Sequence, residues 1–414
     1  MTKLKLLISA YACGPNVGSE PGVGWHFVSY LALEHEVHVI VEKRKWEQPI
    51  NEFMEKNPHL KANLKFYFID KKRNKKLRKL WPPSYYYFYR KWQKKAFELA
   101  KELDQVENFD ILHQLTMVGY REPGYLWKIH KPFVWGPIGG LENSPWSFLP
   151  SLGLKGFLFF SGRNLINYLQ RNFLVRPKNA ANHKNGVLIS ATPNNKVLIK
   201  KLWGKDSILM PEIGHYLTHN YKLNIRREEQ PLQIVWSGLH IPRKNLALLL
   251  SAVKALSIPF ELHILGKGEM TKKWQNIAVK FRIEEHCVWH GWLKQELAIN
   301  VMQKAHVLCI TSISDLNSTV TLEGLSYGLP IVALDHCGFS NVITENCGVK
   351  IPVNTPKKAA LNITKALTKL YDNEVYRQRL SKGAIERSKD FTWEQKTLDL
   401  NKIYAELLNK VEHV

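Results

Sequence analysis

The sequence predicts an α/β protein of two doubly wound units, on three observations. Short apolar runs alternate with helix-patterned stretches through the first half. The same alternation starts again in the second half, and its apolar runs end in Gly, Ser or Thr before a polar bend. Strands that alternate with helices form a mostly parallel sheet covered on both faces.

In order, "LKLLISAY" reads as a strand, "GVGWHFVSYLALEH" as a helix and "VHVIV" as a strand, followed by "LKFYFI", "DILHQL", "FVWGP" and "GVLISAT". The second series is "LQIVWSG", "NLALLLSAVKAL", "FELHILGKG", "CVWHGW", "HVLCITS", "TLEGLSYG" and "LPIVALD". The chain of 414 residues suits two domains of about 200 residues each. The expected division is 1–207 and 208–392. The last stretch, 393–414, is amphipathic through Leu398, Ile403, Tyr404, Leu407 and Leu408 and is expected to pack back onto the first domain. In such folds ligands lie beyond the carboxyl ends of the strands, so the cleft between the two units is the expected site.

Composition narrows the class. A hydrophobic fraction of 45% excludes disorder as the main state. No apolar run reaches the roughly 18 residues of a membrane span, and "MTKLKLLISAYACG" reads as a first strand rather than a signal peptide. Five scattered cysteines without a CxxC pair imply a reducing, cytoplasmic compartment. The net charge of +23 is concentrated in residues 1–205, where 33 Lys and Arg face 15 Asp and Glu. That half is expected to meet an anionic partner, a membrane surface or a nucleic acid.

Three loops that follow strands carry candidate chemistry. "SAYACGPNVGSEPGVGW" holds Gly14, Gly18, Gly22 and Gly24 ahead of a helix, a setting for close backbone approach to a ligand. Its spacing is neither GxGxxG nor a P-loop. "WSGLHIPRKNLALLL" places Arg243 and Lys244 before a helix, where a guanidinium fork and an ammonium suit a diphosphate. "DLNSTVTLEGLSYGLPIVALD" places Asp315 and Glu323 eight positions apart around a short helix that Gly328 closes and Pro330 ends. Amides near Ser318 and Thr319 are expected to face a phosphate, with Glu323 in about the first turn accepting from vicinal hydroxyls. Singly, each feature has a plain structural explanation: a tight turn, a solvated cation pair, a helix acid.

Together these motifs resemble the retaining glycosyltransferases of family 4, which have the GT-B fold. The acid–x7–acid motif stands here as Asp315-x7-Glu323, followed by "GLPIVALDHCG". "PRKNLALLL", "HILGKGE", "VWHGWL" and "FTWEQ" match further family segments, and "HQLT" and "WGPIGG" match a bacterial polysaccharide and lipopolysaccharide subset. Three departures stand out: Asp315 where Glu is usual, Leu316 where Gly usually follows, and Leu239 where Arg is usual. The last leaves the diphosphate to Arg243 and Lys244, with His240 as a possible helper.

The resemblance implies transfer of a sugar from a nucleotide diphosphate sugar, expected to be a UDP-sugar, to an acceptor hydroxyl with retention of configuration. It implies a catalytic set of His113, Asp315, Arg243 and Lys244, with His113 beside the donor sugar. The donor set is Gly18, Arg243, Lys244, Asp315, Ser318, Thr319 and Glu323. Neither HExxH nor DxD occurs, so no metal and no cofactor is expected beyond the nucleotide sugar.

Residues 71–95 hold eleven Lys and Arg, seven aromatics and no acid. Polybasic and aromatic residues together favour an anionic bilayer interface. Lys75, Lys76, Arg78, Trp81, Tyr86, Phe88 and Trp92 are the candidate membrane or acceptor contacts. The apolar stretch 146–164, placed in the same domain, is expected beside them. The expectation is a peripheral enzyme of the inner membrane face that acts on a lipid-linked or polysaccharide acceptor. The alternatives are a GT-B epimerase or phosphorylase, a non-catalytic module, or a basic nucleic-acid binder, although no nucleic-acid module is recognisable.

Overall fold

The computed structural model describes residues 2–216 and 223–412. The chain divides into two compact units. One comprises Met1–Leu141, Leu169–Glu212 and Trp393–Val414; the other comprises Glu142–Tyr168 and Ile213–Thr392.

The first unit contains β1 (Lys5–Ala10), β2 (Glu36–Glu42), β3 (Leu64–Ile69), β4 (Ile111–Thr116), β5 (Phe133–Ile138), β6 (Gly186–Ser190) and β7 (Ile208–Leu209). Among the described residues they form one parallel sheet in the order β3-β2-β1-β4-β5-β6-β7. Ile8 pairs with Val39 on one side and His113 on the other, so β1 is central. The apolar run "LLISA" is buried throughout, as a strand covered on both faces requires.

The second unit contains β8 (Leu232–Ser237), β9 (Phe260–Leu265), β10 (Cys287–Gly291), β11 (Val307–Ile310), β12 (Ile331–Leu334) and β13 (Gly348–Ile351). They are again all parallel among the described residues, in the order β10-β9-β8-β11-β12-β13. Each sheet reverses direction of strand addition once, between β1 and β4 and between β8 and β11. The carboxyl ends of those strands are the switch points where ligands lie.

The helix Trp393–Glu412 belongs to the first unit; residues 413–414 lie outside the described residues. Trp393 meets Phe27 edge-on at 5.5 Å, His35 Nε2 lies 3.0 Å from the Asn401 side-chain oxygen, and Tyr404 is fully buried.

The expected division is corrected in two places, the first being that residues 208–212, with the strand Ile208–Leu209, belong to the first unit. Residues 142–168 belong to the second unit, not the first. Phe148, Leu149, Leu152 and Phe160 join the core around Leu246, Leu250 and Trp274. Asn164 fastens the excursion by accepting from Ser144 N–H at 3.0 Å and donating to its carbonyl at 2.8 Å. The local pattern marked this stretch as apolar but held no information on which sheet it covers.

Phe148→Ala removes a wholly buried ring from that core and is expected to lower unfolding free energy by about 3–5 kcal/mol. Phe159→Ser, on an exposed position of the following helix, is expected to change it by less than about 1 kcal/mol. Urea unfolding of both variants checks the assignment.

Candidate functional site

In the second unit the loops after β8 and β11 are fastened together by backbone groups. Ile313 N–H donates to the Arg243 carbonyl at 2.9 Å, and Thr311 Oγ1 donates to the Lys244 carbonyl at 2.9 Å. This brings both cations onto one carboxylate. Asp315 accepts from Arg243 Nη1 and, at 2.5 Å, from Lys244 Nζ. Arg243 Nη1 also donates to the Ser314 carbonyl at 2.7 Å, so the protein hydrogen bonds of this guanidinium fall on one nitrogen. The cluster is largely shielded from water and carries one net positive charge, which suits a bound anion.

The glycine turns beside it are dictated by backbone crowding. A Cβ at Gly266, whose φ is +109°, would lie 2.0 Å from the Gly238 carbonyl oxygen. Leu239 points to solvent at 47% exposure. His240 is buried: its Nδ1 lies 2.8 Å from Thr271 Oγ1, its backbone N–H donates to the Lys267 carbonyl, and its Nε2 has no hydrogen-bond partner among the described residues. Burial also lowers its pKa, which keeps it neutral.

The helix Thr319–Ser326 begins at Ser318, whose side chain makes no capping bond, so its first amides are not taken up by a cap. Ser318 is half-buried and Thr319 exposed. Gly328, at φ +68°, closes the helix as expected. Glu323 is not in the first turn, which holds no acid; it stands in the second turn. The helix dipole therefore does not account for it. Its side chain is largely buried, and desolvation raises its pKa above the ordinary carboxylate value. No hydrogen-bond partner engages its carboxylate among the described residues. A desolvated acceptor of this kind is costly unless something donates to it. The β12 loop covers this region: Gly338 N–H donates to Leu316 O at 2.7 Å, and a Cβ at Gly338 would lie 2.5 Å from that oxygen.

In the first unit two expectations about glycine and histidine change. A Cβ at Gly22 would strike the Val17 carbonyl at 2.0 Å and one at Gly24 the Ala12 carbonyl at 2.4 Å, so packing of helix on loop demands those glycines. Gly18, exposed at the start of helix Ser19–Leu31, has open space beside it and is the position of this loop where a ligand has room. His113 is corrected as a catalytic group. It lies within β4 rather than after it and is 1% exposed. Its Nδ1 meets Tyr404 Oη at 2.7 Å and its Nε2 meets the Gly136 carbonyl at 2.8 Å. With both ring nitrogens engaged in the core, it has none to offer a sugar.

The basic aromatic segment is split by helix geometry. In the helix Ser84–Glu107, Tyr89 and Trp92 face inward, and Trp92 donates to the Ile69 carbonyl at 3.0 Å. Trp92 is therefore corrected as a membrane contact. Trp81 and Tyr86 are exposed, as are Lys75, Lys76 and Arg78. Phe88 is half-buried and lines a pocket. The segment and the apolar stretch 146–164 lie in different units. Sequence reasoning missed Lys71, buried immediately beyond β3, and Glu20, whose carboxylate accepts from Val118 N–H at 2.8 Å. The rule that loops after strands carry function would have singled out Lys71.

Two triplets of potential metal ligands occur among the described residues, each with ligand atoms within 4.8 Å of one another. Glu36, His38 and Glu107 lie on the amino-terminal side of the sheet, tied to Lys65 and Lys5. Glu142, His336 and Cys337 lie behind the Asp315 loop, where burial pushes the thiol well above its usual range.

Two parallel-sheet Rossmann-like units of this kind define the GT-B class of glycosyltransferase structures. Residues 220–387, which fall in the second unit, match the family described as "Glycosyl transferases group 1". The chain is similar to an uncharacterized glycosyltransferase, MJ1178, of Methanocaldococcus jannaschii, with 27% identity over 171 residues, 41% of this chain and 47% of that protein. It is also similar to the lipopolysaccharide 1,6-galactosyltransferase of Escherichia coli K12, with 28% identity over 142 residues, 34% of this chain and 36% of the relative. The matches thus span about half or less of these relatives' lengths. Among solved structures, the apo lipopolysaccharide outer core galactosyltransferase WaaB superposes with a TM-score of 0.65 at 14% identity, covering 97% of this chain and 100% of that one. Anabaena HepE, solved with UDP and glucose, superposes with a TM-score of 0.58 at 10% identity over 97% and 100%.

The His113 environment has a pH consequence. Its pKa is lowered from 6.5 to about 4 by burial. Between those values the unfolded chain binds a proton that the native state does not. Stability is therefore complete above pH 6.5 and falls as pH drops toward 4, by up to about 3 kcal/mol from this residue. Urea unfolding at a series of pH values should show this slope, and His113→Gln should flatten it.

Proposed function

We propose that this protein is a retaining glycosyltransferase that moves a sugar from a nucleotide diphosphate sugar, expected to be a UDP-sugar, to a hydroxyl of a lipid-linked or polysaccharide acceptor in bacterial surface glycan synthesis. The observation that carries the reading is the pairing of a preorganised cation clamp with a desolvated acid that has no hydrogen-bond partner among the described residues. Arg243 and Lys244, held by Asp315, receive the diphosphate, together with the amides near Ser318 and Thr319. Glu323 accepts from the ribose hydroxyls. As the glycosidic bond breaks, negative charge grows on the leaving diphosphate while the sugar becomes oxocarbenium-like. Fixed donors aimed at that charge lower the barrier without reorganisation. In this reading cationic side chains take the part a metal plays elsewhere. The domain match at 220–387 favours transfer over the epimerase, phosphorylase and nucleic-acid readings. The preference for uridine draws on the HepE complex, and the surface-glycan assignment on the lipopolysaccharide transferases.

No helix of the described residues is long and apolar enough to cross a membrane. Peripheral association at the inner membrane face is part of the proposal. It rests on Leu80, Trp81, Tyr86 and Tyr87, exposed beside Lys75, Lys76 and Lys79.

Calorimetry with UDP and uridine tests the donor site. Glu323→Gln should weaken both ligands by about 10- to 100-fold, the value of a hydrogen bond to a charged acceptor. Arg243→Ala should weaken UDP and spare uridine. Should UDP, GDP and ADP all fail to bind the wild-type protein, the donor reading is wrong.

A further inference from the structure

The first unit contains a pocket of about 280 Å³ that the donor site does not use. It opens at the carboxyl edge of the sheet, where the ends of four strands contribute to it: Tyr11 after β1, Lys45 after β2, Lys71 after β3 and Met117 after β4. Lys71 is the anomaly. It is only 2% exposed, yet no carboxylate makes an ion pair with it among the described residues. Its ammonium lies 3.5 Å from the centre of the Tyr85 ring and 5.2 Å from that of Tyr11. The nearby acid Glu42 is already paired with Arg73 at 2.8 Å. Buried charges are ordinarily paired, because removing an ammonium from water is costly. Ring faces offset part of that cost. The remainder calls for an anion that is not part of the chain.

The rest of the wall agrees. Lys45, Arg73, Lys75 and Arg78 add positive charge. Glu20 is the acid among the lining residues; its carboxylate accepts from Val118 N–H, and burial raises its pKa. Burial lowers the Lys71 pKa to about 8, so its ammonium stays mostly charged at neutral pH. Trp46, Tyr85 and Phe88 supply flat apolar faces next to the cations. Cations beside aromatic faces match a phosphoryl group attached to a sugar ring: the phosphate meets the ammonium and guanidinium groups, and the ring lies on an aromatic face. The volume suits one phosphorylated sugar unit and not an extended glycan.

We propose that this pocket binds the phosphoryl group of a phosphorylated sugar, with Lys71 as the buried anchor and Lys45, Arg73 and Arg78 as its outer contacts. Anion binding here stands independently of the donor site. Its use for the acceptor rests on the transferase reading, and it narrows the acceptor class to a glycan phosphorylated near the accepting hydroxyl. The phosphoryl group belongs to a soluble sugar phosphate or to a lipid diphosphate headgroup; the chemistry is shared.

The test is calorimetry on the full chain with glucose 1-phosphate, glucose, farnesyl diphosphate and UDP, for wild type, Lys71→Met and Arg78→Ala. Thermal unfolding serves as the control for folding. Wild type should bind at least one of glucose 1-phosphate and farnesyl diphosphate, and should not bind glucose measurably. Preference for the first identifies a sugar phosphate, preference for the second a lipid headgroup. Lys71→Met should weaken that binding by at least about tenfold. Arg78→Ala, at an exposed position that leaves the core intact, should weaken it less. UDP binding should be unchanged in both variants, which separates failure of this pocket from failure of the donor site. The proposal is overturned if neither phosphate binds, if glucose binds as well as its phosphate, or if Lys71→Met, folded by its thermal unfolding, binds like wild type.

Discussion

Both sheets are wholly parallel among the described residues, and that constraint organises everything else. A parallel strand needs cover on both faces, so helices occupy the faces and no side chain of a central strand is available for chemistry. Functional groups must then come from the loops beyond the carboxyl ends. Lys71, Arg243, Asp315 and Cys337 stand beyond such ends, after β3, β8, β11 and β12, and Lys45 lies in the first turn of the helix Lys43–Lys56 that follows β2. His113 shows the converse. It sits inside a central strand, and its ring nitrogens serve the core.

The two cationic sites solve the problem of concentrated positive charge differently. In the second unit, one carboxylate holds two cations. Asp315 limits their mutual repulsion and fixes their geometry before any ligand arrives, while Arg243 keeps the rest of its fork available. The shorter reach of Asp relative to Glu is no handicap, since the loop after β11 is drawn up to Arg243 and Lys244 by backbone hydrogen bonds. In the first unit Lys71 has ring faces in place of a carboxylate. A cation–π contact stabilises an ammonium without neutralising it, so the charge remains to attract an anion.

The basic aromatic segment combines two environments in one helix. Tyr85, Tyr89, Trp92 and Ala96 recur at intervals of three and four and turn inward, while Tyr86, Tyr87, Lys91 and Lys94 face water. Counting the aromatics of 71–95 as one surface therefore overstated the exposed set. The helical period present in the same residues divides them, and it separates core from candidate membrane contact.

The sequence by itself determined the α/β class, the strand-ending loops, the helix closed by Gly328 and the pairing of Arg243, Lys244, Asp315 and Glu323 as candidates. These rest on periodicity and turn chemistry, which act between residues close along the chain. Only the tertiary structure decided that 142–168 covers the second sheet, that His113 and Trp92 are core residues, that Asp315 bridges two cations and that Lys71 is buried without an ion-paired acid among the described residues. Each of these depends on contacts between segments far apart in sequence. Burial and pairing are set by what packs against a residue, and a local pattern carries no record of that partner.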